Sequence, residues 1–104
     1  MELTDFYSKD SKKVINNGVF QNLGHTSVTN LDNLLTFCDS SKFVDTALEN
    51  DNITCIITLP EFVDAFLSKD IGIVSSDNPR IDFFKIHNES SLTIDKFKTR
   101  IGEK

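Results

Sequence analysis

No stretch of this sequence is apolar for more than a few residues, which excludes a helix crossing a bilayer. Basic residues are also in short supply: 11 Lys and Arg stand against 16 Asp and Glu, giving a net charge of −5. The lysines are scattered (Lys9, Lys12, Lys13, Lys42, Lys69, Lys85, Lys96, Lys98 and Lys104) and form no stripe that could neutralise nucleic-acid phosphates. Nucleic acid is thereby disfavoured as a partner. Small anions stay open as ligands, because N–H groups at helix starts bind phosphate without net positive charge. Cysteine occurs twice, as Cys38 in LLTFC and Cys55 in ITCIITL, with no CxxC spacing. Two such residues read as small buried hydrophobes, a disulfide or redox role being the alternative. The opening MELTDFYSKD has neither a basic n-region nor an apolar h-region, which predicts no secretory signal and a cytoplasmic protein.

The usual catalytic signatures are missing too. The chain has no GxSxG, no P-loop, no GxGxxG after a strand and no HExxH. Gly18 and Gly24 are too isolated to cradle a phosphate. His25 falls in a polar loop and His87 near the end of a predicted helix, and neither is paired with Cys or carboxylates at metal-ligand spacing. Asp32, Asp39, Asp45, Asp64 and Asp82 are expected on solvated helix faces or loops. With no candidate acid, base, nucleophile or metal set, the chain reads as a binding or interaction domain and not as a complete enzyme.

What is present is a regular alternation. A length of 104 residues allows one domain, burying roughly 65% of its unfolded surface. Trp is absent, Phe occurs nine times, and 38% of residues are hydrophobic, an ordinary globular composition. In the N-terminal third, Val14-Ile15 and Val19-Phe20 flank Asn16-Asn17-Gly18, which predicts a tight turn joining two strands or a strand and a loop. Gln21 to Asn33, rich in Asn, Thr, Ser and Gly, predicts a loop.

From Leu34 onward LLTFC reads as a strand, Asp39-Ser40-Ser41 as a helix N-cap, and Phe43, Val44, Ala47 and Leu48 as one helical face. Glu49 to Asn52 should end that helix. Ile53 to Leu59 is nearly continuous in apolar and β-branched residues, the pattern of a strand covered on both faces. Pro60 suits a first helical position, with Phe62, Val63, Phe66 and Leu67 as the apolar face behind it. Ile71 to Val74 predicts a third strand. Asp77-Asn78-Pro79 repeats the cap-then-proline signal, read as a helix start in preference to a ligand contact, with Ile81, Phe84 and Ile86 or His87 lining a third helix. The fold class expected is α/β: a small single domain of βα units, with a mostly parallel sheet flanked by helices and one or two further strands from the N-terminal third.

Four blocks carry a resemblance. Leu35 to Phe43, LTFCDSSKF, resembles the LSFLxNPKY motif of bacterial UDP-3-O-acylglucosamine N-acyltransferases, the lipid A pathway enzymes. Cys55 to Pro60, CIITLP, resembles that family's AVIVxP strand; Ile73 to Arg80, IVSSDNPR, resembles its LVVxNPR segment; and Gly18-Val19-Phe20 is placed like its earlier GVA. The match covers roughly residues 18 to 88 and rests on order and spacing. It implies a nucleotide-sugar-recognition domain over residues 1–98, then at 99–104 the start of a hexapeptide-repeat, left-handed β-helix region, for which Ile101-Gly102-Glu103-Lys104 looks like a first rung.

The resemblance further implies that the whole protein N-acylates a UDP- or dTDP-linked amino sugar in lipid A or surface-polysaccharide biosynthesis. The acyl donor would be a thioester of acyl carrier protein or coenzyme A, the general base a β-helix histidine outside this chain, and the whole protein a homotrimer, with this fragment a monomer. No cofactor is implied within the chain itself.

By resemblance, Phe37 and Phe43 would sandwich a pyrimidine ring, and such base stacking is worth about 1–3 kcal/mol. Phe43 replaces a Tyr, keeping the stacking face and losing the hydroxyl. Ser40 stands where the family has an Asn that hydrogen-bonds the base edge, so one hydroxyl replaces a paired donor and acceptor, a loss of about 1 kcal/mol or more. Lys42 is a phosphate partner or a solvated lysine. The alternatives are that Phe37 and Phe43 belong to the core, that the domain orients the β-helix over a vestigial pocket, or that the chain is an unrelated stand-alone α/β binding module.

Overall fold

The run Ile53–Thr58 lies near the centre of a sheet in the computed structural model, which describes residues 1–7 and 12–90 and the backbone of residues 94 and 95. The strands are β1 (Val14–Asn16), β2 (Asn22–Gly24), β3 (Leu34–Cys38), β4 (Ile53–Thr58), β5 (Gly72–Ser75) and β6 (Ile94–Asp95). Among the described residues they form one six-stranded sheet in the order β1-β5-β4-β3-β2-β6, antiparallel only between β1 and β5. The helices are α1 (Val44–Glu49), α2 (Val63–Phe66) and α3 (Pro79–Ser90), the first two entered through 3₁₀ turns at Ser41–Phe43 and Pro60–Phe62. The fold is therefore α/β with a mostly parallel sheet flanked by helices.

Chain direction decides which face each helix covers. The steps β3-α1-β4 and β4-α2-β5 advance along the sheet in one direction, and β5-α3-β6 returns across it. Right-handed crossovers then place α1 and α2 on one face and α3 on the other. The two cores agree. Leu34, Cys38, Ile56 and Ile73 pack with Ala47 of α1 and Phe66 of α2, whereas Leu23, Leu35, Cys55, Ile57 and Val74 pack with Phe83 and Ile86 of α3. Strict alternation fails in one place. Leu34 pairs with Ile53 but Leu35 pairs with Cys55, an extra residue on β4, so Ile53 and Ile56 join the same core although three residues apart.

The α3 face is completed by the N-terminal segment, which runs beside residues 18–20. Met1 and Phe20 exchange bonds in both directions (2.9 Å and 2.7 Å), and the Leu3 N–H donates to the Gly18 carbonyl at 3.0 Å. The approach is close enough to require glycine: a Cβ on Gly18 would lie 2.7 Å from the Gly72 Cα. The tight turn expected at Asn16-Asn17-Gly18 is not there: Asn17 and Gly18 leave β1 without a turn or bend and lead to the bridge between Val19 and Glu2. β1 and β2 lie towards opposite ends of the sheet and do not pair, so no hairpin joins them.

All three helical faces differ from expectation in part. In α3 the buried positions are Pro79, Asp82, Phe83 and Ile86, at spacings of three and four, while Ile81 is 55% exposed. The apolar stripe is rotated because Phe83, not Ile81, meets the sheet. Phe43 and Leu67 are also exposed, at 38% and 48%. Phe43 lies in a 3₁₀ turn, whose three residues per turn put it out of phase with Ala47, and Leu67 lies just past the four-residue α2. Beyond α1, the buried Asn50 donates to the carbonyls of Thr26 (2.9 Å) and Val28 (2.7 Å), tying down the 25–33 loop. The Lys69 ammonium caps α1 at the Leu48 carbonyl, 2.7 Å away. Both cysteines are free and buried. The hexapeptide rung read at residues 99–104 lies outside the described residues.

Candidate functional site

In a parallel sheet the loops after the strands gather at one edge, with the starts of the following helices pointing into it, and ligands of open α/β sheets bind there. Here that edge carries Asp39 and Ser40 after β3, Leu59 and Pro60 after β4, and Ser76 to Asn78 after β5. Two hollows open along it. One, of about 350 Å³, is lined by Asp39, Leu59, Asp77, Asn78, Pro79, Arg80 and Ile81. The other, of about 360 Å³, shares Asp77 and Asn78 with the first and continues to Lys12, Lys13 and Asp82.

None of the four residues singled out in the sequence is among those lining either hollow; Phe37, at the end of β3, is half-buried, and the other three lie on the turn that follows β3. The Phe37 ring centroid lies 5.0 Å from that of Phe83 and 6.3 Å from the His25 ring. The Arg80 guanidinium stands 5.4 Å from the centre of the same ring. Ser40 caps the 3₁₀ turn, its hydroxyl accepting from the Lys42 N–H at 3.4 Å, which is the capping role expected of Asp39-Ser40-Ser41. Lys42 is exposed, with its ammonium 5.4 Å from the centre of the Phe43 ring. Phe37 is thus held in an aromatic stack over α3, and Phe43 stands on the turn beyond Asp39 with its ring in reach of solvent. Among the described residues, the ring neighbours of Phe37 are Phe83 and His25, and Phe43 is not one of them.

Arg80 was not among the residues picked out from the sequence. It joins the two parts of the site: its Nε lies 3.6 Å from an Asp39 carboxylate oxygen, and its guanidinium plane is over Phe37. Only the strand order brings Arg80, at the start of α3, beside the end of β3. The available signal was its position next to a proline that opens a helix on a parallel sheet.

Asp82 corrects a reading. It was expected on a solvated face, but it is 8% exposed, accepts a hydrogen bond from the Tyr7 hydroxyl at 2.9 Å and pairs with the Lys13 ammonium at 3.6 Å. Its place in the first turn of α3 suits a carboxylate, since the helix dipole is positive there. Burial, followed by the charge of Asp82, pushes the Tyr7 hydroxyl well above its ordinary pKa, so Tyr7 acts as a permanent donor. The two histidines sit beside different phenylalanines, His25 near Phe37 and His87 near Phe84. Among the described residues no group of three or more His, Cys, Asp or Glu could hold a metal ion, and no helix is long and apolar enough to cross a membrane.

Comparison with known proteins adds no family: no family model, no curated protein and no solved structure matches the chain.

Proposed function

We propose that this chain recognises a nucleotide-linked amino sugar, UDP- or dTDP-borne, as the front domain of a sugar N-acyltransferase. The observation that carries the reading is the edge where β3, β4 and β5 end. There a hollow of about 350 Å³ adjoins Arg80 on the ring of Phe37, and the exposed Phe43 stands on the next turn. A cation held over a phenylalanine ring at the start of a 12-residue helix is suited to a flat base joined to an anion. The motif blocks at Leu35 to Phe43 and Ile73 to Arg80 both end at this edge, which supports reading the ligand there. Ser40, whose hydroxyl caps its own turn, supplies a base edge less fully than an amide would.

A second reading has its own support. Phe37 packs on Phe83 in the core, which favours a structural domain that orients a β-helix over a vestigial pocket. The two readings share the acyltransferase context, and the coding sequence after Lys104 tests that context. Continuation in hexapeptide repeats of the aliphatic-Gly kind supports it; a stop codon directly after Lys104 contradicts it in favour of a stand-alone binding module. With the repeats present, acyl transfer from an acyl carrier protein or coenzyme A thioester to a UDP- or dTDP-amino sugar is the expected activity.

A further inference from the structure

Among the described residues Arg80 is the one cation lining the 350 Å³ hollow, where the other charged groups are the carboxylates of Asp39 and Asp77. Its side chain is 65% exposed, and among the described residues its ion pair is with Asp39, 3.6 Å through Nε to a carboxylate that is itself 30% exposed. A pair of this length near solvent is weak and easily exchanged. The same guanidinium lies over Phe37, whose remaining ring neighbours, Phe83 and His25, lie 5.0 Å and 6.3 Å away. Arg80 therefore covers ring surface that a stacking ligand would use. It is also placed where a ligand's anionic group would need a partner.

We propose that Arg80 makes this site select nucleotides over nucleosides: when a base stacks at Phe37, the guanidinium leaves Asp39 and takes the ligand's phosphate. The inference rests on the nucleotide reading above and adds to it the residue that reads the anion. Electrostatics decide the sign. With Arg80 present, a phosphate meets a planar fork of donors, and the first turn of α3 adds a favourable dipole. With Arg80 removed, the same phosphate faces Asp39 and Asp77 with Lys12 and Lys13 set back in the adjoining hollow, and repulsion outweighs the dipole there. An uncharged nucleoside loses nothing in that exchange and gains access to the Phe37 ring.

The test is isothermal titration of the 104-residue chain with uridine against UMP and thymidine against dTMP. The proteins compared are wild type, Arg80→Ala, Arg80→Lys and Asp39→Asn, each first checked by circular dichroism melting. Wild type should bind the nucleotide of the matching pair roughly tenfold or more tighter than its nucleoside. Arg80→Ala should reverse the order, Arg80→Lys should keep a reduced preference for the nucleotide, and Asp39→Asn should tighten the nucleotide more than the nucleoside. A wild-type preference that survives Arg80→Ala unchanged, or an equal loss for both members of the pair, overturns the role of Arg80 while leaving nucleotide recognition standing. Absence of binding to every compound by the folded wild-type chain overturns nucleotide recognition and the role of Arg80 with it.

Discussion

The Arg80 guanidinium lies 5.4 Å from the centre of the Phe37 ring, and one helical turn further along α3 the Phe83 ring lies 5.0 Å from it. Phe37 is thus shared between Phe83 in the core and Arg80 at the hollow, and Phe43 is exposed on the turn beyond Asp39. Truncating them separates structure from recognition. Phe37→Ala should lower stability by about 2–4 kcal/mol, because the Phe83 packing is lost along with the ring. Phe43→Ala, at a position 38% exposed, should leave the melting temperature nearly unchanged and weaken nucleotide binding by about 1 kcal/mol or more. Parallel melts and titrations check both; a Phe43→Ala protein that binds as wild type does removes Phe43 from the site.

The contact between Gly18 and Gly72 makes a second prediction. A methyl group at Gly18 would meet backbone at 2.7 Å and the Cys55 sulfur at 2.9 Å, and backbone cannot swing aside. Gly18→Ala is expected to cost about 1–3 kcal/mol in urea unfolding. Val19→Ala, its exposed neighbour, should change little, and equal effects from the two would contradict the close approach.

The Tyr7–Asp82 bond predicts that Tyr7→Phe destabilises the fold although it deletes only one oxygen. Among the described residues the carboxylate, at 8% exposure, would keep the Lys13 pair, 3.6 Å away, and lose a 2.9 Å donor. Leaving a buried charge short of a partner costs about 1–3 kcal/mol. The double variant Tyr7→Phe with Asp82→Asn should lose less than the sum of the two single changes, which a double-mutant cycle in urea measures.

Burial pushes the Cys55 thiol from its ordinary value of 9.0 up to about 12, and burial also raises Cys38. The sign follows from which state holds the proton. In the folded protein Cys55 keeps its proton until about 12, whereas in the unfolded chain it is released near 9, so the unfolded state gains stability across that interval. The contribution is fully present below about pH 8 and is lost as pH rises towards 12. The melting temperature should fall steadily from pH 9 to 11, and both thiols should resist alkylation at pH 8 until urea unfolds the chain. Rapid modification of the native protein would contradict the burial.

The alternation of strand and helix from Leu34 to Ser90 was legible because each element states its own period: ITCIIT reads as a doubly covered strand wherever it is placed. The capping role of Ser40 was legible for the same local reason. What escaped depends on pairs far apart in the chain. Tyr7 and Asp82 are 75 positions apart, and Asn50 reaches Thr26 across 24. The rotated stripe on α3 follows from which phenylalanine meets the sheet, and consecutive Phe83 and Phe84 leave that choice open in one dimension. The site was legible in half: the β3 end with Phe37 and Phe43 is a local motif, whereas Arg80 joins it only through the strand order.

Nucleotide-sugar recognition at the β3–β5 edge is tested most directly by titrating the isotope-labelled chain with UDP-N-acetylglucosamine, UMP and dTMP and following backbone and aromatic resonances. Shifts concentrated at Phe37, Phe43, Asp39 and Asp77 to Ile81, saturating for at least one of the three compounds, are the predicted result. Spectra that do not change with any of them, recorded on a folded sample, would contradict it.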